Sequence, residues 1–186
     1  MKCAGFTLIE GLVTLVVAAI LTTAVIPAFA DLLARQRATA AVNQLVGAIH
    51  MTRHAAISHR RRVALCAAAE QTCLGRNQWH QGAMVFADAN RDGSRQPNEA
   101  VLTQLPPLHS GARVFWRAFQ NRSYLRFRAN GTTDWQNGSF TYCPPDGDLR
   151  LAKGITINVQ GRIALSADRD NDGIDEDARG RPLRCA

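Results

Sequence analysis

Between Glu10 and Asp31 the chain runs for 20 residues, Gly11–Ala30, without one charged side chain. As a helix rising about 1.5 Å per residue, that stretch is about 30 Å long, the thickness of a bilayer core. Everything beyond it is polar or mixed, so the chain reads as a single apolar helix joined to a globular part. At 186 residues there is room for one domain plus that appendage, and little for a two-domain enzyme. A hydrophobic share of 46% excludes a disordered chain, and the single apolar run excludes a multi-spanning membrane protein. A secretory signal would place a small-residue cleavage site after the apolar run. Here a short basic leader ends at Gly5 and Glu10 sits at the mouth of the run. Lys2, with no acid near it, places the N-terminus in the cytoplasm, so the bulk of the chain is expected in the periplasm or outside.

Past Pro27, which is expected to kink the helix, Ala38, Val42, Leu45, Ile49 and Ala56 recur at helical spacing. They form one apolar face of an amphipathic helix running to about Ser58, with Gln36, Thr39, Asn43, His50 and His54 on other faces. His50 and His54 stand four apart, but no glutamate follows His50, so they read as surface histidines. The basic cluster His59–Arg62 complements the helix dipole. From Val63 the sequence turns to short strands: Val63–Cys66, Gln78–Ala87, Ala100–Leu105, Val114–Ala118, Ser123–Ala129 and Ser139–Cys143. Ile155–Val159 and Arg162–Ser166 alternate on either side of Gln160–Gly161, a hairpin pattern. The expected fold class is α+β: a long N-terminal helix, half membrane-type and half amphipathic, packed on an antiparallel β domain.

The net charge is +7, and arginine supplies 20 of the 22 basic groups. Guanidinium groups suit phosphate, although codon bias accounts for such an excess equally well. Five cysteines are present, with no CxxC pair and no Cys/His cluster of the zinc type. In an exported domain Cys66, Cys73, Cys143 and Cys185 make two disulfides, with three connectivities open. Proximity favours Cys66–Cys73, which leaves Cys143–Cys185.

The segment Gly5-Phe6-Thr7-Leu8-Ile9-Glu10 closely resembles the start of a type IV prepilin. The resemblance implies that a prepilin peptidase cuts between Gly5 and Phe6 and methylates the new Phe6 amine. Cys3 then leaves with the leader, and the mature cysteine count is even. A carboxylate at the bilayer edge costs about 3 kcal/mol unless paired. The Phe6 ammonium of the same or a neighbouring subunit would pair Glu10 and set the register of the filament, as buried polar residues do in coiled coils. The organisation implied is leader 1–5, membrane and filament-core helix 6–30, amphipathic helix half 31–60 and periplasmic β domain 61–186. Ala55–Cys66, then Trp79, Gly82, Val85-Phe86, Asp88, Asn90 and Glu99, are similar to the GspH/FimT/FimU family. Gly138-Ser139-Phe140 with Cys143, and Gly161-Arg162, fit the same family. That resemblance implies a pilin-like fold and a minor pilin or pseudopilin, anchored in the inner membrane and assembling with other pilins.

Two acidic loops suggest a cation, although no cofactor is required. Asp88, Asn90, Asp92, Gly93, Gln96 and Glu99 match a calcium-loop template at positions 1, 3, 5, 6, 9 and 12. The same text is also a common hairpin connection with Asx-capped turns. Asp168, Asp170 and Asp172 before Gly173 open a second such loop, but its position 12 is Arg179. Asp175 or Asp177 is the expected substitute, and a solvated insert is the alternative. No nucleophile–base set, phosphate-cradling glycine loop or zinc ligand set is visible, so no enzyme is expected.

DNA binding is a second function class. FimT-like minor pilins bind DNA through Gly-Arg-Xaa-Arg, and the resemblance reaches only Gly161-Arg162-Ile163-Ala164, where alanine replaces the second arginine. Arg179, Arg181 and Arg184 form an offset basic tail that would neutralise two or three phosphates in a salt-dependent way. A pseudopilin of type II secretion is the third reading.

Overall fold

The computed structural model describes Gly5, Thr7–His109 and Gly111–Cys185. Helix α1, Leu8–Ser58, passes through Pro27 without a break. The contacts divide the chain into two compact units, Met1–Gln36 and Arg37–Ala186. In the first unit the apolar side chains face outward: Leu8, Ile9, Leu15, Ile20 and Ile26 are all exposed. Asp31 and Arg35 pair across one helical turn at 2.9 Å.

In the second unit the expected helix face is buried: Ala38, Val42, Leu45, Ile49 and Ala56. Ala41, Ala48 and Ala55, seven apart, are buried beside them, and Gln36, Thr39, Asn43, His50 and His54 are exposed. Helix α1 ends in a Schellman motif. The Arg61 amide donates to the Ala56 carbonyl, the Arg60 amide donates to the Ile57 carbonyl, and Arg60 takes a left-handed φ of 47°.

Among the described residues nine strands follow: β1 Val63–Ala69, β2 Thr72–Cys73, β3 Ala83–Ala87, β4 Val101–Leu105, β5 Arg113–Ala118, β6 Tyr124–Phe127, β7 Gly138–Cys143, β8 Lys153–Ile157 and β9 Ile163–Leu165. All pairings are antiparallel. One sheet runs β2-β1-β3-β4, with β6 also on β1; the other runs β5-β7-β8-β9. Strand β1 is covered on both faces, which its alanine-rich sequence permits. Val63, Leu65 and Ala67 join the main core with the helix face, Trp79, Trp116, Phe140, Ile155 and Ile157. Ala64, Cys66 and Ala68 face a smaller cluster with Met84, Phe86 and Tyr124.

The expected hairpin is present as β8 on β9, with Ile155 opposite Leu165 and Ile157 opposite Ile163. Gly161 turns it at φ 74°, where a Cβ would meet the Gly131 carbonyl at 2.8 Å. Two expectations change. The strand expected over Gln78–Ala87 begins only at Ala83, because Trp79–Gln81 forms a 3-10 turn that buries the Trp79 ring against Phe140, 4.7 Å between centroids. Strand β2 lies outside every expected strand; it is a two-residue return through Glu70 and Gln71, both at positive φ, that aligns Cys73 with Ala68.

Candidate functional site

Gly5 is exposed, and Phe6 lies outside the described residues. The expected cleavage and methylation therefore have no structural description at Phe6. Glu10 stands in the first turn of α1 and is exposed; its amide donates a hydrogen bond to Thr7 Oγ1 at 3.3 Å. An acid in a first turn also complements the positive end of the helix. One described helix is long and apolar enough to cross a membrane, and its most apolar 18-residue window has no part buried within the chain.

The four cysteines of the β domain form Cys66–Cys73 and Cys143–Cys185, the pairing that proximity favours. The first holds β2 against β1. The second ties the end of the chain to the last residue of β7, across a sequence separation of 42 residues.

The first acidic loop is closed by protein groups. Arg126, in β6, donates from Nη1 to Asp88 Oδ2 at 2.7 Å and from Nη2 to Asp134 Oδ2 at 2.6 Å. Asp88 is fully buried, and the Arg126 guanidinium lies 5.3 Å from the centroid of the Tyr124 ring. Glu99 Oε1 accepts from the Ala89 amide at 2.8 Å, and Oε2 accepts from the Gln96 amide at 3.0 Å. Asp92 accepts from the Ser94 amide, the Asn90 side chain and the Gln96 side chain. Gly93, at φ 77°, lies on the Tyr124 ring with no room for a Cβ. Of the residues that the calcium template singles out, Asp88, Asn90, Asp92, Gln96 and Glu99, the first is met by an arginine of the protein itself. Arg126 occupies the cationic role at Asp88, and side-chain oxygens of Asn90, Asp92 and Glu99 accept from amides.

Electrostatics agree with a closed loop. Burial works against the Asp134 carboxylate, but hydrogen bonds from Arg128 and Arg126 outweigh it and hold its pKa below the ordinary carboxylate value. The Ser94 amide does the same for Asp92. Arg126 and Asp134 were not singled out in the sequence. Their only signal is the charge alternation Arg126, Arg128 and Asp134 across a turn, which resembles ordinary surface.

The second loop differs. Asp168, Asp170, Asp172 and Glu176 each present a ligand oxygen, and these oxygens all lie within 4.8 Å of one another. Asp170 and Asp172 are exposed, and Glu176 is 5% exposed. Asp175 and Asp177, the expected closing ligands, are engaged elsewhere. Asp175 binds Lys153 Nζ at 2.8 Å and Ser166 Oγ at 2.6 Å, and Asp177 binds Arg181 Nη2 at 2.8 Å. Glu176, at position 9 of the loop, stands in their place because its backbone bridges both Ala167 and Pro182.

Of the arginines expected to meet DNA, Arg162, Arg179, Arg181 and Arg184 are all exposed. Arg181 is held by Asp177, and hydrogen bonds from it offset burial and keep the Asp177 pKa low. Arg162, Arg179 and Arg184 have no ion pair among the described residues.

The chain is similar in fold to the type IV minor pilin FimU of Pseudomonas aeruginosa PAO1. In one crystal form the TM-score is 0.57 at 22% identity, covering 72% of this chain and 90% of that one. A second FimU crystal form gives 0.54 at 22% identity, with 69% and 92% covered. The minor pseudopilin EpsH of the Vibrio cholerae type 2 secretion system gives 0.51 at 11% identity, with 70% and 97% covered. A comparison with curated proteins gives no match. Residues 1–26 match the prokaryotic N-terminal methylation motif. Residues 41–161 match the family described as Type II transport protein GspH, so the chain belongs to the GspH family of minor pilins and pseudopilins.

Proposed function

We propose that this chain is a minor type IV pilin, a low-copy subunit that acts where a filament is initiated or at its tip. One observation carries the reading. An apolar helix of membrane length is wholly uncovered within its own chain, and it follows a methylation motif. Uncovered apolar surface of that extent requires another apolar environment, either lipid or the matching helices of other subunits. The two are sequential: the helix resides in the inner membrane after processing by prepilin peptidase, then moves into the packed core of a filament. The β domain stands on the periplasmic side, where Cys66–Cys73 and Cys143–Cys185 form in an oxidising compartment. The role is structural and non-catalytic.

Glu10 is the register residue of that assembly. It pairs with the Phe6 amine in the filament, and an unpaired carboxylate in the core would disfavour packing. The test is a chromosomal Glu10→Ala variant, followed in the sheared-filament fraction. Filaments that are lost or strongly reduced, with the variant retained in the membrane, support the reading. Normal filament numbers together with loss of secreted enzymes would assign the chain to type II secretion, the reading favoured by the name of its family.

Exposed Arg162, Arg179 and Arg184 favour a second activity, DNA binding, while the Arg181–Asp177 pair reduces it. Such binding would be non-specific and steeply salt-dependent. It is tested by titrating DNA at about 50 and 200 mM salt, with and without alanine at Arg179, Arg181 and Arg184. Absence of binding at the lower salt removes it.

A further inference from the structure

We infer that Asp168, Asp170, Asp172 and Glu176 form a calcium-binding site that fastens the C-terminal segment of the β domain. The loop holds six acids within ten residues, and among the described residues two of them are held in ion pairs. Lys153 takes Asp175 and Arg181 takes Asp177. The four acids left have no ion pair among the described residues, and they are the four whose oxygens converge within 4.8 Å.

Glu176 is the second and independent indication. It is 5% exposed, and its Oε1 is buried without a hydrogen-bond partner. Its other oxygen accepts from the Arg169 amide at 2.8 Å. A buried carboxylate oxygen with no donor is strongly disfavoured unless a water or a cation meets it, and beside three further carboxylates a cation is the better partner. The carboxylate also belongs to the converging group, so the unmet oxygen need and the cluster lie in one place.

The donor set decides which cation. All four side chains offer carboxylate oxygen, a hard ligand that suits calcium or magnesium and not zinc or copper. Ligand oxygens on opposite sides of calcium stand about 4.6–5.2 Å apart, against about 4.0–4.2 Å for magnesium. Oxygens that lie within 4.8 Å of one another fall inside the span calcium can bridge.

The loop already holds its carboxylates in place. Asp168 accepts from the amides of Asn171 at 2.7 Å and Gly173 at 2.9 Å. Asp170 accepts from Asp172 at 3.2 Å, and Asp172 accepts from Ile174 at 2.7 Å.

A cation here would join the start of the loop to Glu176, whose backbone bridges Ala167 on one side and Pro182 on the other. Leu183 follows, buried, and then Cys185 of the second disulfide. Occupancy would therefore hold the path from β9 to the chain end as one piece.

The experiment uses the full chain in detergent, stripped with a chelator and titrated by calorimetry with calcium and, separately, magnesium. A single calcium site with a dissociation constant of about 1 mM or tighter is expected, with magnesium at least about ten-fold weaker. Saturating calcium raises Tm. Asp170→Asn, an exposed change that leaves the fold intact, weakens calcium binding about ten-fold or more, and Glu176→Gln does the same. Asp92→Asn in the first loop leaves it unchanged. The proposal is overturned by a folded wild-type chain showing neither heat nor a Tm shift with calcium. Binding undiminished in Asp170→Asn, or equal affinity for magnesium, overturns it as well.

Discussion

The two acidic loops begin alike, Asp88-Ala89-Asn90-Arg91-Asp92-Gly93 and Asp168-Arg169-Asp170-Asn171-Asp172-Gly173, and they reach opposite electrostatic solutions. The first lies over the back of a sheet, where β6 delivers Arg126 to Asp88 and Asp134. The second lies beyond β9, where among the described residues no strand brings an arginine into an ion pair with Asp168, Asp170, Asp172 or Glu176. A loop sequence offers ligands, but the strand beside it decides whether the protein or a solute supplies the positive charge. On this comparison the first loop should respond to mutation and the second to its medium.

The largest expected effect comes from removing the built-in cation. Arg126→Ala leaves Asp88 buried and unpaired, and should cost about 3–5 kcal/mol in denaturant unfolding of the full chain. Adding Asp88→Asn should recover part of that loss; an equal loss in the double variant would mean that packing rather than charge dominates. Next come the crosslinks. Replacing Cys143 and Cys185 by alanine opens a loop of 42 residues and should cost about 4 kcal/mol, against about 2.4 kcal/mol for the 7-residue separation of Cys66–Cys73. If the order reversed, the second loop would not depend on its covalent anchor.

The glycines give a smaller contrast. A Cβ at Gly93 would fall 2.0 Å from the Tyr124 ring, whereas at Gly173 its nearest neighbour is Arg150 Cγ at 3.9 Å. Gly93→Ala should cost about 2–3 kcal/mol and Gly173→Ala about 1 kcal/mol, since both carry positive φ but only one is crowded. Equal Tm losses would show that backbone conformation alone matters.

The smallest effect is with pH. The Asp134 pKa is depressed in the folded chain, so its contribution is complete above about pH 4, the ordinary carboxylate value. It is lost as the pH falls through the lower folded value. Acid unfolding curves of the wild type and Asp134→Asn should therefore diverge above that range and converge below it. A constant gap would separate the effect from ionisation.

The periodic and local features of this chain were legible in its sequence. The helix face Ala38–Ala56, the Gln160–Gly161 hairpin and the Cys66–Cys73 pairing all follow from spacing along the chain. What sequence did not disclose depends on contacts between distant residues. Arg126 meets Asp88 across 38 positions, and nothing near Asp88 announces that an arginine will arrive. Asp175 and Asp177 looked as suitable as Glu176 for closing the second loop. The pairing of β9 fixes Lys153 and Ser166 beside Asp175, which leaves Glu176 turned inward. Trp79 falls within the strand expected over Gln78–Ala87; the packing of its ring on Trp116 and Phe140 goes with a turn instead.

On the proposed function, the N-terminal segment serves processing and assembly in a filament. The most direct test is the intact mass of the chain recovered from sheared filaments of cells that contain prepilin peptidase. The account predicts a chain that begins at Phe6, lacks Met1–Gly5 and carries one added methyl group, with both disulfides formed. A full-length chain absent from filaments, or a chain cut beyond the apolar run and released as a soluble domain, would contradict it.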